Sequence, residues 1–188
     1  MLQNKKGNVE YLQSNDSFNE MALRALGFNG INIIHELVDN SVSAQSTNIL
    51  VGWDKSEQFE GKRKLTIQDN GKGVHNPNEK CGTPENPERS NFAECFLTLG
   101  RTRDDYGTNE ISNFGIGGTV SINELAQQGL EVHITTTDRV GRRYYGVIKK
   151  LDNGKVGVEL KDYSVNSDYK SGTEVIIDGL DIKLSKEQ

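Results

Sequence analysis

Cysteine is nearly missing from this chain: Cys81 and Cys95 are the only two in 188 residues. That is too few for a disulfide framework, and neither CxxC spacing nor neighbouring histidines suggest a metal site. A reduced, cytosolic setting is the expectation, or a nuclear one in a eukaryote. Long apolar runs are missing too. No stretch of about 18 apolar residues occurs, and the opening MLQNKKGNVEYLQSNDS has no apolar core of the kind a signal peptide needs. Neither export nor contact with a membrane is expected. Nor is there an excess of positive charge: 22 Lys and Arg against 27 Asp and Glu leave a net charge of -5. Such a chain has no general pull toward nucleic acid, so any DNA role would be indirect, through a further domain or partner protein.

Proline is confined to one place. All three, Pro77, Pro84 and Pro87, fall between Val74 and Phe114, where the pattern otherwise breaks down except for a short helix candidate at 91–99. A connection of that length inside a compact domain reads as a functional lid or a disordered segment. The rest, with 34% hydrophobic residues, suits one globular domain with its own core.

Around the lid the periodicities are regular. Behind a polar arm, Ser17-Phe18-Asn19-Glu20 forms a capping box for a short helix ending near Gly27. A second helix is predicted over 31–44, with Ile31, Ile34, Leu37, Val38 and Val42 on one side. Strand-like runs follow at 48–53 and 64–68. After the lid, FGIGGTVSINELAQQ reads as a glycine turn opening a helix, and EVHITTTD, RRYYGVIKKL, KVGVELKDY and GTEVIIDGL read as strands. The pattern predicts an α+β fold with a layer of helices on a mostly antiparallel sheet.

The tetrapeptide DNGK occurs twice. At Asp152 it lies between alternating strand patterns and predicts a two-residue Asn-Gly hairpin turn, both residues accepting positive φ. At Asp69 a strand enters but none leaves. This copy therefore places a carboxylate at a strand end, followed by Gly71 and Gly73, which allow close backbone approach. On the predicted 31–44 helix, Glu36, Asn40 and Ser43 point within about 60° of one another. A carboxylate beside an amide could position a water and ligate Mg²⁺ through oxygen; a solvated face is the plainer alternative. The stretch Gly115-Ile116-Gly117-Gly118 before a helix suits phosphate or simply a tight packing turn, but it is neither GxxxxGK[ST] nor GxGxxG. At Gly172-Thr173 a hydroxyl opens a late strand and could hydrogen-bond a base.

Taken in order, HELVDNSVSA, DNGKGV, a lid, FGIGGTVS and GTEV resemble the GHKL ATPases, which include gyrase-type topoisomerases, ninety-kilodalton heat-shock chaperones, MutL-type repair proteins, histidine kinases and MORC proteins. The resemblance spans about 31–178. It implies a two-layer Bergerat sandwich with helices on one face of a mostly antiparallel mixed sheet. The implied organisation is an arm and first helix at 1–28, an ATP-binding domain at 29–180 with its lid at about 74–114, and a tail or linker at 181–188. It further implies that Glu36 is the general base and Asn40 the Mg²⁺ ligand, that Asp69 accepts the adenine amine, and that Gly71 and Gly73 leave room for the base. Thr173 would lie near the adenine, Gly115, Gly117 and Gly118 would cradle phosphate, and Arg103 would stand where the lid of some branches carries a lysine.

Two departures from the family pattern stand out. The usual N-x-x-D-A reads Asn40-Ser41-Val42-Ser43-Ala44, so Ser43 replaces an acidic residue. In several branches a following domain donates a lysine to the γ-phosphate. The expectation is accordingly an excised piece of a longer protein, or slow hydrolysis until a partner supplies that charge. The implied activity is Mg-dependent ATP binding and hydrolysis driving homodimerisation and lid closure within a larger machine. Alternatives are a non-catalytic ATP sensor and a histidine kinase catalytic domain.

Overall fold

The computed structural model describes residues 9–11, 30–73 and 117–180. The capping-box helix, the lid with its short helix, Gly115, Arg103 and the tail at 181–188 lie outside the described residues.

Among the described residues, two helices and seven strands follow in the order β1 (Val9–Tyr11), α1 (Gly30–Ser43), β2 (Ile49–Lys55), β3 (Arg63–Asp69), α2 (Gly117–Gln127), β4 (Val132–Thr137), β5 (Arg142–Lys150), β6 (Val156–Val165) and β7 (Gly172–Leu180). The strands form one sheet in the order β1-β6-β5-β4-β7-β3-β2, and each described pair is antiparallel. The strand β1 adds to the edge of β6. Sequence pattern gave no sign of it, because three residues inside a polar arm carry no legible period.

Alternation decides which face is covered. Leu65 and Ile67 of β3, Val132 and Ile134 of β4, Tyr144 and Ile148 of β5, and Val175 and Ile177 of β7 are all buried in one core with Ile33 and Leu37 of α1 and Ile122, Leu125 and Ala126 of α2. Both helices therefore lie on the same face, touching each other, with α1 against β3 and α2 against β4, β5 and β6. Each fully buried Leu or Ile contributes about 1.5–3 kcal/mol of transfer free energy, so the inward rows hold the two layers together. This is the predicted two-layer α+β arrangement.

The buried stripe of α1 differs from the predicted one. It centres on Ile33, Leu37 and Ser41, flanked by Ile34 and Val38, whereas Val42 is 41% exposed. A four-residue step drifts only about 40° per turn, so Ser41 stays inside while Val42 turns outward. Both helices stop in the same way. In α1, Ser46 N donates to Ser41 O and Gln45 N to Val42 O; in α2, Leu130 N donates to Leu125 O and Gly129 N to Ala126 O. These are Schellman motifs. The left-handed residue is Gly129 in α2 but Gln45, at φ 60°, in α1.

The hairpin between β5 and β6 also differs from expectation. Leu151 N donates to Lys155 O and Gly154 N to Leu151 O, enclosing three loop residues, 152–154. Of these only Gly154, at φ 80°, has positive φ. Asn153 instead uses its side chain, Oδ1 accepting from Lys155 N at 3.0 Å. A three-residue loop needs a single left-handed position after an ordinary turn, which explains why the asparagine is not strained.

Candidate functional site

The register across the sheet aligns Ile49 with Asp69, Asp69 with Thr173, Thr173 with Thr136 and Thr136 with Tyr144. This row crosses five strands on the side that faces the helices. Its ends are apolar or aromatic. At its middle, a carboxylate and two hydroxyls stand side by side.

Asp69 closes β3 and is held from three directions. Its Oδ1 accepts from Gly71 N at 2.8 Å and from Thr173 N at 3.3 Å, while Ser41 Oγ, on α1, donates to Oδ2 at 2.9 Å. Each neighbour is a donor, so the carboxylate acts purely as an acceptor, and Oδ2 has a further lone pair available. A carboxylate oxygen fixed in this way is suited to reading an amine. The adjoining Asn70 is structural: its Oδ1 accepts from Thr47 N and Asn48 N, each at 2.9 Å, tying the start of β2 to the end of β3.

Gly71 and Gly73 make room first of all for protein. A Cβ on Gly71 would lie 2.5 Å from Ser46 Oγ and 2.7 Å from Ala44 O, and one on Gly73, at φ 68°, would overlap the Thr137 carbonyl oxygen. The DNGKG segment is thus wedged between the end of α1 and the end of β4, and Lys72 N donates to Ala44 O at 2.9 Å. The two glycines fix where Asp69 points.

On α1, Glu36 is half-buried, Asn40 exposed and Ser43 half-buried. Burial raises the Glu36 carboxyl above its ordinary 4.5; the negative charge of Asp39 adds to this, and His35 opposes it. A carboxyl displaced upward in this way is a better proton acceptor when ionised. Ser43 Oγ is shielded from solvent and has no hydrogen-bond partner among the described residues. Gly117 and Gly118 form the first turn of α2, so their backbone N–H groups belong to the donor end of a helix.

The structure brings Asp69, Gly71, Gly73 and Thr173 together directly and joins them to α1, which carries Glu36 and Asn40. Two residues escaped the sequence reading. Ser41 is 3% exposed and Thr136 1% exposed. Each had a legible signal: a polar residue at an apolar phase, Ser41 one step beyond Ile33 and Leu37 in α1, and Thr136 after Val132 and Ile134 in β4. The opposite face of the sheet carries a second feature, an open trough of about 600 Å³ lined by His133, Tyr145, Arg143, Tyr169 and Glu174 among others. Its residues alternate with those of the Asp69 row, so it is a separate surface.

Comparison with known proteins bears on fold and family. Two solved structures of the ATPase region of Saccharomyces cerevisiae topoisomerase II, one bound to ICRF-187 (dexrazoxane), each share 18% identity with a TM-score of 0.51, over 78% of this chain and 36% of theirs. The ATP-binding domain of Francisella tularensis topoisomerase IV, in complex with a small-molecule inhibitor, matches at 15% identity and a TM-score of 0.47 over 92% of this chain and 74% of that one. The chain thus spans about a third of the yeast region, and at such identity the likeness is one of fold. No curated protein sequence matches. A family model described as histidine kinase-, DNA gyrase B- and HSP90-like ATPase matches residues 31–150, from the helix bearing Glu36 through the end of β5. Since that span is well over half of the chain and contains α1, the Asp69 turn and the start of α2, the protein belongs to the histidine kinase-, gyrase B- and HSP90-like (GHKL) ATPases.

Proposed function

We propose that this domain binds ATP and hydrolyses it, Asp69 accepting the adenine amine and Glu36 activating the attacking water. The observation that carries the reading is the anchoring of Asp69: three donors on α1, β7 and the DNGKG turn hold one acceptor still beneath the helix that bears Glu36. Preorganised contacts of this kind give specificity because nothing has to be reordered when the ligand arrives. Thr173, level with Asp69, supplies a hydroxyl beside the base. Gly117 and Gly118, with Gly115 outside the described residues, would offer backbone N–H groups to phosphate, as Arg103 in the lid would offer its guanidinium.

The residues fit a magnesium ion. Asn40 presents an exposed amide oxygen one turn from the Glu36 carboxylate, a hard-oxygen set that suits a cation held mainly by phosphates and water. When bound, the ion would offset charge on the phosphates. Glu36 would meanwhile orient a water and take its proton, which is worth about 10²–10⁴ in rate. Nucleotide-driven homodimerisation and closure of the 74–114 segment, within a larger machine, complete the proposal; the family resemblance supports them.

The test is phosphate release by wild type and Glu36→Ala, alongside ATP affinity and mass in solution. Turnover should vanish in the variant while binding persists, and ATP should shift the protein from monomer to dimer. Normal turnover by Glu36→Ala would remove Glu36 from its role. Ser43, without a hydrogen-bond partner among the described residues and standing where the family pattern has an acid, favours a second reading: ATP sensing without turnover. Tight binding with no phosphate release, in the longest natural form of the protein, would select it.

A further inference from the structure

Thr136 is an anomaly in β4. The other inward side chains of that strand are Val132 and Ile134, both fully buried, and Thr136 is 1% exposed. A valine would fill the same volume, and a buried hydroxyl is unfavourable unless it is hydrogen-bonded. Thr136 Oγ1 lies 3.0 Å from Thr173 Oγ1 and 3.4 Å from the Gly172 carbonyl oxygen. Thr173 in turn donates its backbone N–H to Asp69 Oδ1. A continuous polar line therefore runs Asp69, Thr173, Thr136, with a carboxylate acceptor and a hydroxyl next to each other at its half-buried end.

That pairing matches one edge of a 6-aminopurine, where an amine donor adjoins a ring-nitrogen acceptor. Asp69 can take only the donor. The ring nitrogen needs a donated proton, and the Thr173 hydroxyl stands at the adjoining position, able to give it directly or through a water. A threonine hydroxyl free to rotate would present that proton only part of the time. On the basis of the nucleotide-site reading above, we propose that Thr136 is a positioning residue: its hydroxyl donates to Thr173 Oγ1, the nearer of its two acceptors, which leaves the Thr173 proton directed at the ligand, so that the site prefers a base with an acceptor nitrogen beside its amine. A plain cross-strand threonine pair that only braces the sheet is the competing account, and it makes no distinction between ligands.

The experiment compares dissociation constants for ATP and for 1-deaza-ATP, in which that ring nitrogen is C–H, using wild type, Thr136→Val, Thr136→Ser, Thr173→Ala and Asp69→Asn. One hydrogen bond corresponds to a preference of about two- to tenfold. Wild type and Thr136→Ser should favour ATP by that factor, Thr136→Val should favour it by a clearly smaller factor, and Thr173→Ala should bind the two ligands equally. A folded Thr136→Val that keeps the wild-type ratio, or a wild type with no preference, overturns the proposal. If Thr136→Val fails to fold, Thr136→Ala carries the same comparison. The Asp69→Asn arm separates the two levels of argument. Unchanged ATP binding there sinks the site reading itself, whereas lost binding with an unchanged Thr136→Val ratio sinks only this inference.

Discussion

Replacing Asp69 by asparagine changes one oxygen to an amide nitrogen without changing shape. The surroundings dictate which oxygen. At Oδ1 two backbone donors, Gly71 N and Thr173 N, would confront an NH₂ group, so the amide oxygen must stay there. The NH₂ then takes the place of Oδ2, opposite Ser41. Ser41 can adapt: its hydroxyl lies 3.2 Å from Leu37 O as well, so its proton turns to that carbonyl and its lone pair accepts from the amide. Folding should lose only charge assistance, about 1 kcal/mol, or roughly 2–4 °C in melting temperature. Nucleotide binding is affected differently: in the proposed binding mode a donor would now meet the adenine amine, itself a donor. The loss of a charge-assisted hydrogen bond is worth about 1.5–3 kcal/mol, and the unpaired donor costs about 1–3 kcal/mol more. Together they weaken binding by roughly 10²- to 10⁴-fold. Calorimetric titration with ATP, beside a thermal melt, measures both quantities, and Asp152→Asn at the exposed hairpin serves as a control that should change neither. A well-folded Asp69→Asn that binds ATP within threefold of wild type would refute the reasoning.

Three further predictions concern the frame around that carboxylate. Because the Glu36 carboxyl is raised by burial and Asp39, turnover should fall as pH drops through a midpoint above 4.5, and Glu36→Gln should abolish this acid limb. Stability runs the opposite way: a raised carboxyl favours folding most at low pH, so Glu36→Gln should melt no lower than wild type at pH 7, and any gain should shrink on acidification. Gly73→Ala would force a side chain into a left-handed position against the Thr137 carbonyl; a loss of about 2–3 kcal/mol is expected in denaturant unfolding, with weaker ATP binding as Asp69 shifts. Gln45→Gly should do the opposite. Relief of the left-handed strain at φ 60° outweighs the backbone entropy of glycine and the exposed contact from Arg139 to Gln45, raising stability by about 0.5–1 kcal/mol.

The extent to which the site could be read in the sequence follows from the range of each signal. Glu36 and Asn40 stand four apart on one amphipathic helix, a spacing set by local geometry, so their common face was legible. Asp69 was legible as a carboxylate at a strand end because the turn after it could not be a hairpin. Ser41 and Thr136 were not read, although each breaks an apolar period, since one polar residue in such a row has no meaning until its partner across the fold is known.

The sequence by itself determined the alternation of strands, the two amphipathic helices and the ordered motifs, since these rest on periods of 2 and 3.6 residues and on backbone demands within a few positions. Tertiary structure decided which of those motifs meet. The sheet order set β7 between β3 and β4, placing Thr173 next to Asp69 over a separation of 104 residues. The packing of α1 over β3 brought Ser41 to the same carboxylate. It also gave Gly71 and Gly73 their first task, which is to let the chain pass against Ala44, Ser46 and Thr137. Register between distant strands depends on which faces are buried together, a property of the whole assembly of layers that no single segment carries.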